Sequence, residues 1–136
     1  MAPVIDVDNL TFAYPAATRT AIDGLSFTVA AGEIFGFLGP SGAGKSTTQK
    51  ILIGLLKRYR GAVTVFGSDL AHWSADYYER IGVSFEFPTH FLKLTALENL
   101  SYFAHLYRGE TQSPTGLLEM VGLHAVGADR HPPAPC

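Results

Sequence analysis

A chain of 136 residues with 47% hydrophobic and 16% charged residues is too apolar for a disordered segment and fits one globular domain, which would bury roughly two-thirds of its unfolded surface. A formal charge of −2 excludes the basic field of a non-specific nucleic-acid binder, so no nucleic-acid partner is expected. Cys136 is the only cysteine, Met1 to Asn9 has no leader character, and no apolar run is long enough to span a bilayer; the expectation is a cytoplasmic chain that reaches a membrane only through a partner.

In chain order, Val4–Asp8 and Leu10–Tyr14 alternate as strands until Pro15, and Ala17–Asp23 reads as a loop or hairpin return. Leu25–Val29 is another half-buried strand, closed by Ala30-Ala31-Gly32. Ile34–Leu38 is a nearly continuous apolar run, the pattern of a strand covered on both faces in a parallel sheet. Lys45–Leu56 has helical spacing at Ile51, Leu52, Leu55 and Leu56. Its end is expected at the basic cluster Lys57-Arg58-Tyr59-Arg60 and Gly61.

Ala62–Phe66 is a short strand, Ser74–Arg80 a short helix and Ile81–Phe85 a further strand. Thr95 with Glu98 forms a capping box for a helix whose apolar face uses Leu97, Leu100, Phe103, Ala104 and Tyr107, ended by Gly109. Ser113 or Thr115 opens a last helix through Val121, closed by Gly122. Residues 128–136 include three prolines in the final eight positions and read as a disordered tail. The five histidines, at 72, 90, 105, 124 and 131, lack ligand-like spacing and are assigned to surface or packing.

One segment carries chemistry. Gly39-Pro40-Ser41-Gly42-Ala43-Gly44-Lys45-Ser46-Thr47 matches the P-loop pattern at every fixed position, with an apolar run before it and a helix after it. Glycines let the backbone curl so that successive N–H groups converge on phosphate oxygens, and the following helix points its positive end at the same anion. Lys45 supplies a mobile charge for the β- and γ-phosphates, and the Ser46 hydroxyl is placed to ligate Mg²⁺. The ligands expected are therefore ATP and Mg²⁺.

Several further segments resemble the ATP-binding subunit of ABC transporters. Leu10–Tyr14 with Ala21–Phe27 is similar to that family's opening antiparallel subsheet, Ala31–Gly39 to its run into the P-loop, and Gly61–Gly67 to the strand after its first helix. Leu94–Leu100 is similar to the start of its helical subdomain, and Phe103–Tyr107 resembles the exporter (ABC-2-like) branch. The resemblance implies an α/β P-loop NTPase fold with an N-terminal antiparallel subsheet and a partial parallel core. It implies one partial domain over 1–127, with the helical subdomain beginning near 88–123. It also implies a transmembrane subunit and a second ATP-binding subunit as partners, at the inner face of the cell membrane. Tyr14 occupies the place of the family's adenine-stacking aromatic; a core aromatic at a strand end is the other reading.

The sequence departs from the family in two respects. Glu86 stands where the family has the glutamine that links metal and γ-phosphate to the membrane subunit. A carboxylate there is a Mg²⁺ ligand or a solvent-facing residue beyond a strand end. In addition, no apolar run ends in Asp-Glu, and the Leu-Ser-Gly-Gly-Gln signature and switch histidine do not occur. No catalytic residue is assigned. The expectation is a fragment, truncated or frameshifted before the Walker B strand, that binds nucleotide and does not hydrolyse it alone. A non-catalytic or regulatory remnant is the alternative. A P-loop small-molecule kinase fits less well, because an antiparallel subsheet precedes the loop. A GTPase would need an Asn-Lys-x-Asp motif, which is not found.

Overall fold

The computed structural model describes residues 2–85 and 90–123. Its contacts divide the chain between Tyr77 and Tyr78 into two units. The first is built on a four-stranded sheet: β1 (Ile5–Phe12), β2 (Ile22–Val29), β3 (Arg60–Val65) and β4 (Ser68–Asp69), in the order β2-β1-β3-β4. Every pairing is antiparallel, with Val7 opposite Phe27 on one side and Val63 on the other. Alternate residues of β1 point inward, so that Val7, Leu10 and Phe12 join Val63, Val65 and Ile51 in the core.

The two alternating patterns near the N-terminus are one strand interrupted by a bulge. Asn9 sits at φ 50°, the register shifts on both sides of it, and its N–H donates to Ser26 Oγ at 2.8 Å. The opposing β3 meets this bulge at Gly61. A side chain there would collide with the backbone carbonyls of Asp8 and Asn9, and its φ of 94° suits glycine as well. Phe66 and Gly67, both at positive φ, form the two-residue hairpin loop from β3 to β4.

Helix α1 (Lys45–Leu52) is shorter than its periodicity predicts. Gly54, at φ 77°, ends it: Gly54 N–H donates to Ile51 O, and Leu55 N–H reaches back to Lys50 O at 2.9 Å. The buried Tyr77 hydroxyl donates to Leu52 O, satisfying a carbonyl that the helix leaves open. The basic cluster and Gly61 therefore do not terminate the helix; Arg60 and Gly61 already belong to β3.

The α/β class and the antiparallel subsheet stand, but two expected strands do not form among the described residues. Ile81–Phe85 is irregular. In Ile34–Leu38, Phe35 and Phe37 pack on Phe27 with ring centroids 5.2 and 5.4 Å away, while Ile34 and Leu38 are 100% and 93% exposed. The run keeps a strand's alternation, but no described segment hydrogen-bonds along it as a sheet neighbour. The helix expected over Ser74–Arg80 is only a 3₁₀ turn, Ala75–Tyr77.

In the second unit, α2 (Ala96–Ala104) starts at the expected capping box. Glu98 N–H donates to Thr95 Oγ1 at 3.1 Å, and Thr95 N–H donates to Glu98 Oε2 at 2.7 Å. The helix α3 (Pro114–Met120) has Ser113 as its N-cap and Pro114 in its first turn, and it closes at Gly122, φ 75°. The apolar stripe predicted for α2 is not its buried face, since Leu97 and Phe103 are exposed. The buried residue is Asn99. Its amide accepts from Phe91 N–H and donates to Phe91 O, Leu94 O and Thr95 O, at 2.7 to 3.2 Å. It thus ties the 91–95 loop to the start of the helix.

No helix among the described residues is long and apolar enough to cross a membrane. The predicted tail over 128–136 lies outside the described residues.

Two substitutions test this packing. Asn99→Ala removes four side-chain hydrogen bonds and leaves the Phe91 N–H without its acceptor, while Phe91 O and Thr95 O keep the backbone donors of Leu94 and residue 99; it should destabilise the chain by about 2 kcal/mol in denaturant unfolding. Tyr59 offers the opposite case. Its hydroxyl is buried without a hydrogen-bond partner among the described residues, and burial, reinforced by the Asp69 carboxylate, pushes the phenol pKa up. Tyr59→Phe removes that unsatisfied group and should leave stability unchanged or raise it by about 1 kcal/mol.

Candidate phosphate-binding site

The segment Gly39–Thr47 leads into the N-terminus of α1. Ala43 N–H donates to Pro40 O at 3.2 Å, curling the loop. Gly42 and Gly44 follow at φ 82° and 86°, conformations that reverse the usual backbone curvature. Thr48 N–H is the first to bond within the helix, to Gly44 O at 2.8 Å, and the Thr48 hydroxyl donates to the same carbonyl. The N–H groups of Lys45, Ser46 and Thr47 precede that bond and have no intrahelical acceptor. They stand at the positive end of the helix.

Gly44 also fixes where the loop sits. A Cβ placed on it would lie 2.5 Å from Ala21 O and 3.2 Å from Ile22 Cγ1. Ala21 in turn is held by its N–H, which donates to Phe12 O at 2.7 Å. The glycine therefore lets the loop press directly against the end of the β1–β2 hairpin. Within the loop, Lys45 Nζ donates to the carbonyls of Gly39 and Pro40, both at 2.7 Å. Two donors hold the ammonium over the loop, and the third remains for an anion.

Tyr14 is on the same hairpin. Its hydroxyl shares a hydrogen bond of 3.2 Å with Thr47 Oγ1, and Phe12 meets its ring edge-on at 5.0 Å. Tyr14, Ala21, Ser41, Gly42, Gly44, Lys45, Ser46 and Thr47 line one concavity of about 330 Å³. Of the residues predicted for the nucleotide, Tyr14 and Ser41 to Thr47 except Ala43 thus line one site. Gly39, Pro40 and Ala43 shape it, through the two lysine contacts and the turn. Tyr14 is 39% exposed, so it is no core aromatic. Glu86, the other predicted metal ligand, lies outside the described residues. Thr47 as the partner of Tyr14 could not be read from the sequence, since 33 residues separate the two.

A cradle of this kind is shared by many phosphate-binding proteins, so comparison with known proteins decides the family. The profile described as ABC transporter matches residues 22–133. The chain belongs to the ABC transporter family. A fluoroquinolones export ATP-binding protein of Mycobacterium tuberculosis is 61% identical over 120 residues, covering 88% of this chain and 40% of that protein. The bacitracin transport ATP-binding protein of Bacillus licheniformis is 36% identical over 124 residues, covering 90% of this chain and again 40% of that protein. This member of the family thus spans about two-fifths of the length of these relatives.

Solved structures agree. A dimeric ATP-binding cassette bound to ADP and Pi superposes with a TM-score of 0.74 at 26% identity, over 95% of this chain and 61% of that one. A bacterial Atm1-family ABC exporter with ATP bound gives 0.75 at 28% identity, over 90% of this chain and 21% of that one.

The close approach at Gly44 makes a direct test. Gly44→Ala sets a methyl group against the Ala21 carbonyl in a backbone conformation that alanine avoids, and should cost about 2 kcal/mol or more in denaturant unfolding. Gly67→Ala, also at positive φ but with no atom near its Cβ, should cost only the conformational part, about 1 kcal/mol.

Proposed function

We propose that this chain is the nucleotide-binding part of an ABC transporter ATP-binding subunit of the export type, holding Mg·ATP in the Gly39–Thr47 cradle. The observation that carries this reading is the convergence of Lys45, Ser46 and the open end of α1 on one concavity with Tyr14 at its side. The free N–H groups and the third Lys45 donor take the phosphate oxygens, and Tyr14 offers an aromatic face to the base. The names of the relatives, which are export and transport ATP-binding proteins, support the export assignment.

The donor set suits a divalent cation that arrives with the phosphates. Ser46 contributes a hard hydroxyl oxygen beside Lys45, and no group of three His, Cys, Asp or Glu among the described residues forms a metal site of its own. Ser46 would hold the Mg²⁺ that accompanies the nucleotide, and the cation would offset the charge of the phosphates. Glu86, placed by resemblance at the family's glutamine position, is the second proposed ligand. In this reading the chain works with a transmembrane subunit and a second ATP-binding subunit at the inner face of the cell membrane. With no Asp-Glu pair in the sequence to supply the water-positioning carboxylate, the chain alone binds nucleotide without turning it over.

Ligand that binds only the native state raises the melting temperature. Saturating Mg·ATP should therefore stabilise the chain by about 3 kcal/mol at a hundredfold excess over Kd, and Lys45→Ala should abolish the shift. A shift that survives in Lys45→Ala would refute the cradle as the site, and robust Mg²⁺-dependent turnover lost on the same substitution would refute the non-hydrolysing reading. Glu86→Gln should change the Mg²⁺ concentration at which ATP binding is half-maximal; identical titrations for both proteins would remove Glu86 from the metal site.

A further inference from the structure

The N–H and C=O groups of Ile34–Leu38 make no hydrogen bond among the described residues. An extended segment with both edges open is a template for another strand. Its two faces differ. Phe35 and Phe37 pack on Phe27 and line a concavity of about 450 Å³ whose other apolar walls are Ile5, Val29 and Leu52. On the opposite face, Ile34 and Leu38 stand in the open on either side of Gly36, where an added Cβ would meet no atom within 4 Å.

The run also reads the same in both directions: aliphatic, phenylalanine, glycine, phenylalanine, aliphatic. An antiparallel pair reverses one strand against the other, so a run with this symmetry matches itself. With Gly36 opposite Gly36 of a second copy, each Ile34 meets a Leu38 and each Phe35 meets a Phe37, aromatic on one face and aliphatic on the other. A register one residue away would set Ile34 beside Phe37 and mix the two faces. No charged residue lies between Glu33 and Lys45, and the centred register sets Glu33 opposite Gly39, so no like charges meet.

We propose that Ile34–Leu38 is a self-complementary edge through which two copies of this chain pair as antiparallel strands about a two-fold axis at Gly36. Such an interface uses the same patch on both copies and closes at two. Ile34 and Leu38 cover one another, and Phe35 and Phe37 of the second copy extend the aromatic layer over the concavity. Each strand leads into its own phosphate loop at Gly39, so the two loops lie at opposite ends of the pair, roughly 20 Å apart. The pairing uses none of the groups that form the cradle.

The test is sedimentation equilibrium of the full chain over a concentration series, with circular dichroism to follow the fold. The parent should show a monomer–dimer equilibrium with a micromolar Kd, as suits a small interface, and no larger species. Three variants then read the register: Ile34→Lys/Leu38→Lys, Ile34→Glu/Leu38→Glu and Ile34→Lys/Leu38→Glu. All three change the same two side chains, which are exposed in the single chain, so the fold should be kept and the loss of aliphatic contact is common to them. The first two oppose like charges at both positions and should weaken association by about tenfold or more. Mixed in equal amounts, they should form a two-chain species with one of each. The third opposes lysine to glutamate at both positions and should associate about tenfold more tightly than either like-charged variant.

A parent that stays monomeric throughout would overturn the proposal and leave the run to a strand from a different chain. Equal association in all three variants would place the contact elsewhere. A third variant as weak as the first two, with their mixture still pairing, would mean a parallel register and would overturn the two-fold at Gly36. Growth of the parent beyond two chains would overturn the closed pair.

Discussion

The contact of Gly44 with the Ala21 carbonyl is where the sheet and the phosphate loop become one object. The β1–β2 hairpin is held by its own hydrogen bonds and by the buried side chains of Phe12 and Ile22. The loop has little that is comparable: its internal bonds are one turn, Ala43 to Pro40, and the two lysine contacts. Its position is therefore borrowed from the hairpin, through a glycine whose missing Cβ leaves space for a carbonyl. The consequences extend outward from that point. Helix α1 starts where Gly44 puts it, Thr47 and Thr48 turn inward, and the hydroxyl of Thr47 comes within reach of Tyr14.

The same geometry reconciles two demands on the loop. A phosphate cradle needs backbone N–H groups left without internal acceptors, and such groups are costly unless water or a ligand takes them. A short, curled loop containing a flexible lysine would also be poorly ordered. Bonding Lys45 back to Gly39 O and Pro40 O lets one side chain order the loop while its remaining donor and its charge stay at the concavity. Anchoring at two places, Gly44 on the hairpin and the Lys45 side chain on the loop itself, leaves the N–H groups of Lys45, Ser46 and Thr47 as the part that is not committed.

What the sequence reveals of this arrangement is what depends on neighbours in the chain. The P-loop, the capping box at Thr95 and Glu98, and the Gly122 stop are local devices with fixed spacing, and all three appear in the structure as read. The misread features depend on distant partners. Leu55 and Leu56 continue the helical period of α1, yet the helix ends at Leu52 because Gly54 adopts a left-handed turn and the hydroxyl of Tyr77, 25 residues on, donates to the last carbonyl. Gly54 is a stop signal that the helical spacing of the leucines on either side of it conceals. Asn99 carries no apolar signal and stands outside the apolar face read for its helix. Its burial follows from four hydrogen bonds to a loop whose path periodicity cannot specify.

Ile34–Leu38 shows the difference between a pattern and the structure it requires. A continuous apolar run reads as a buried strand because each face needs a cover and each edge needs a hydrogen-bonding neighbour. The described residues meet only part of one requirement. Phe35 and Phe37 pack on Phe27 and are still 41% and 36% exposed, while Ile34 and Leu38 remain at nearly full exposure. The residues themselves are suited to a strand, and strand formation is a property of the pair, not of one segment. The contrast with the P-loop is instructive, because both segments adjoin and both read clearly from sequence. The loop closes on contacts supplied by the hairpin before it and the helix after it, all within 34 residues from Tyr14 to Thr47. The strand depends on hydrogen-bonding neighbours, and these the described residues do not provide. A strand signal becomes structure in this chain where a neighbour is present to pair with it: β1 finds β3 far along the chain, whereas Ile34–Leu38 has no such neighbour among the described residues.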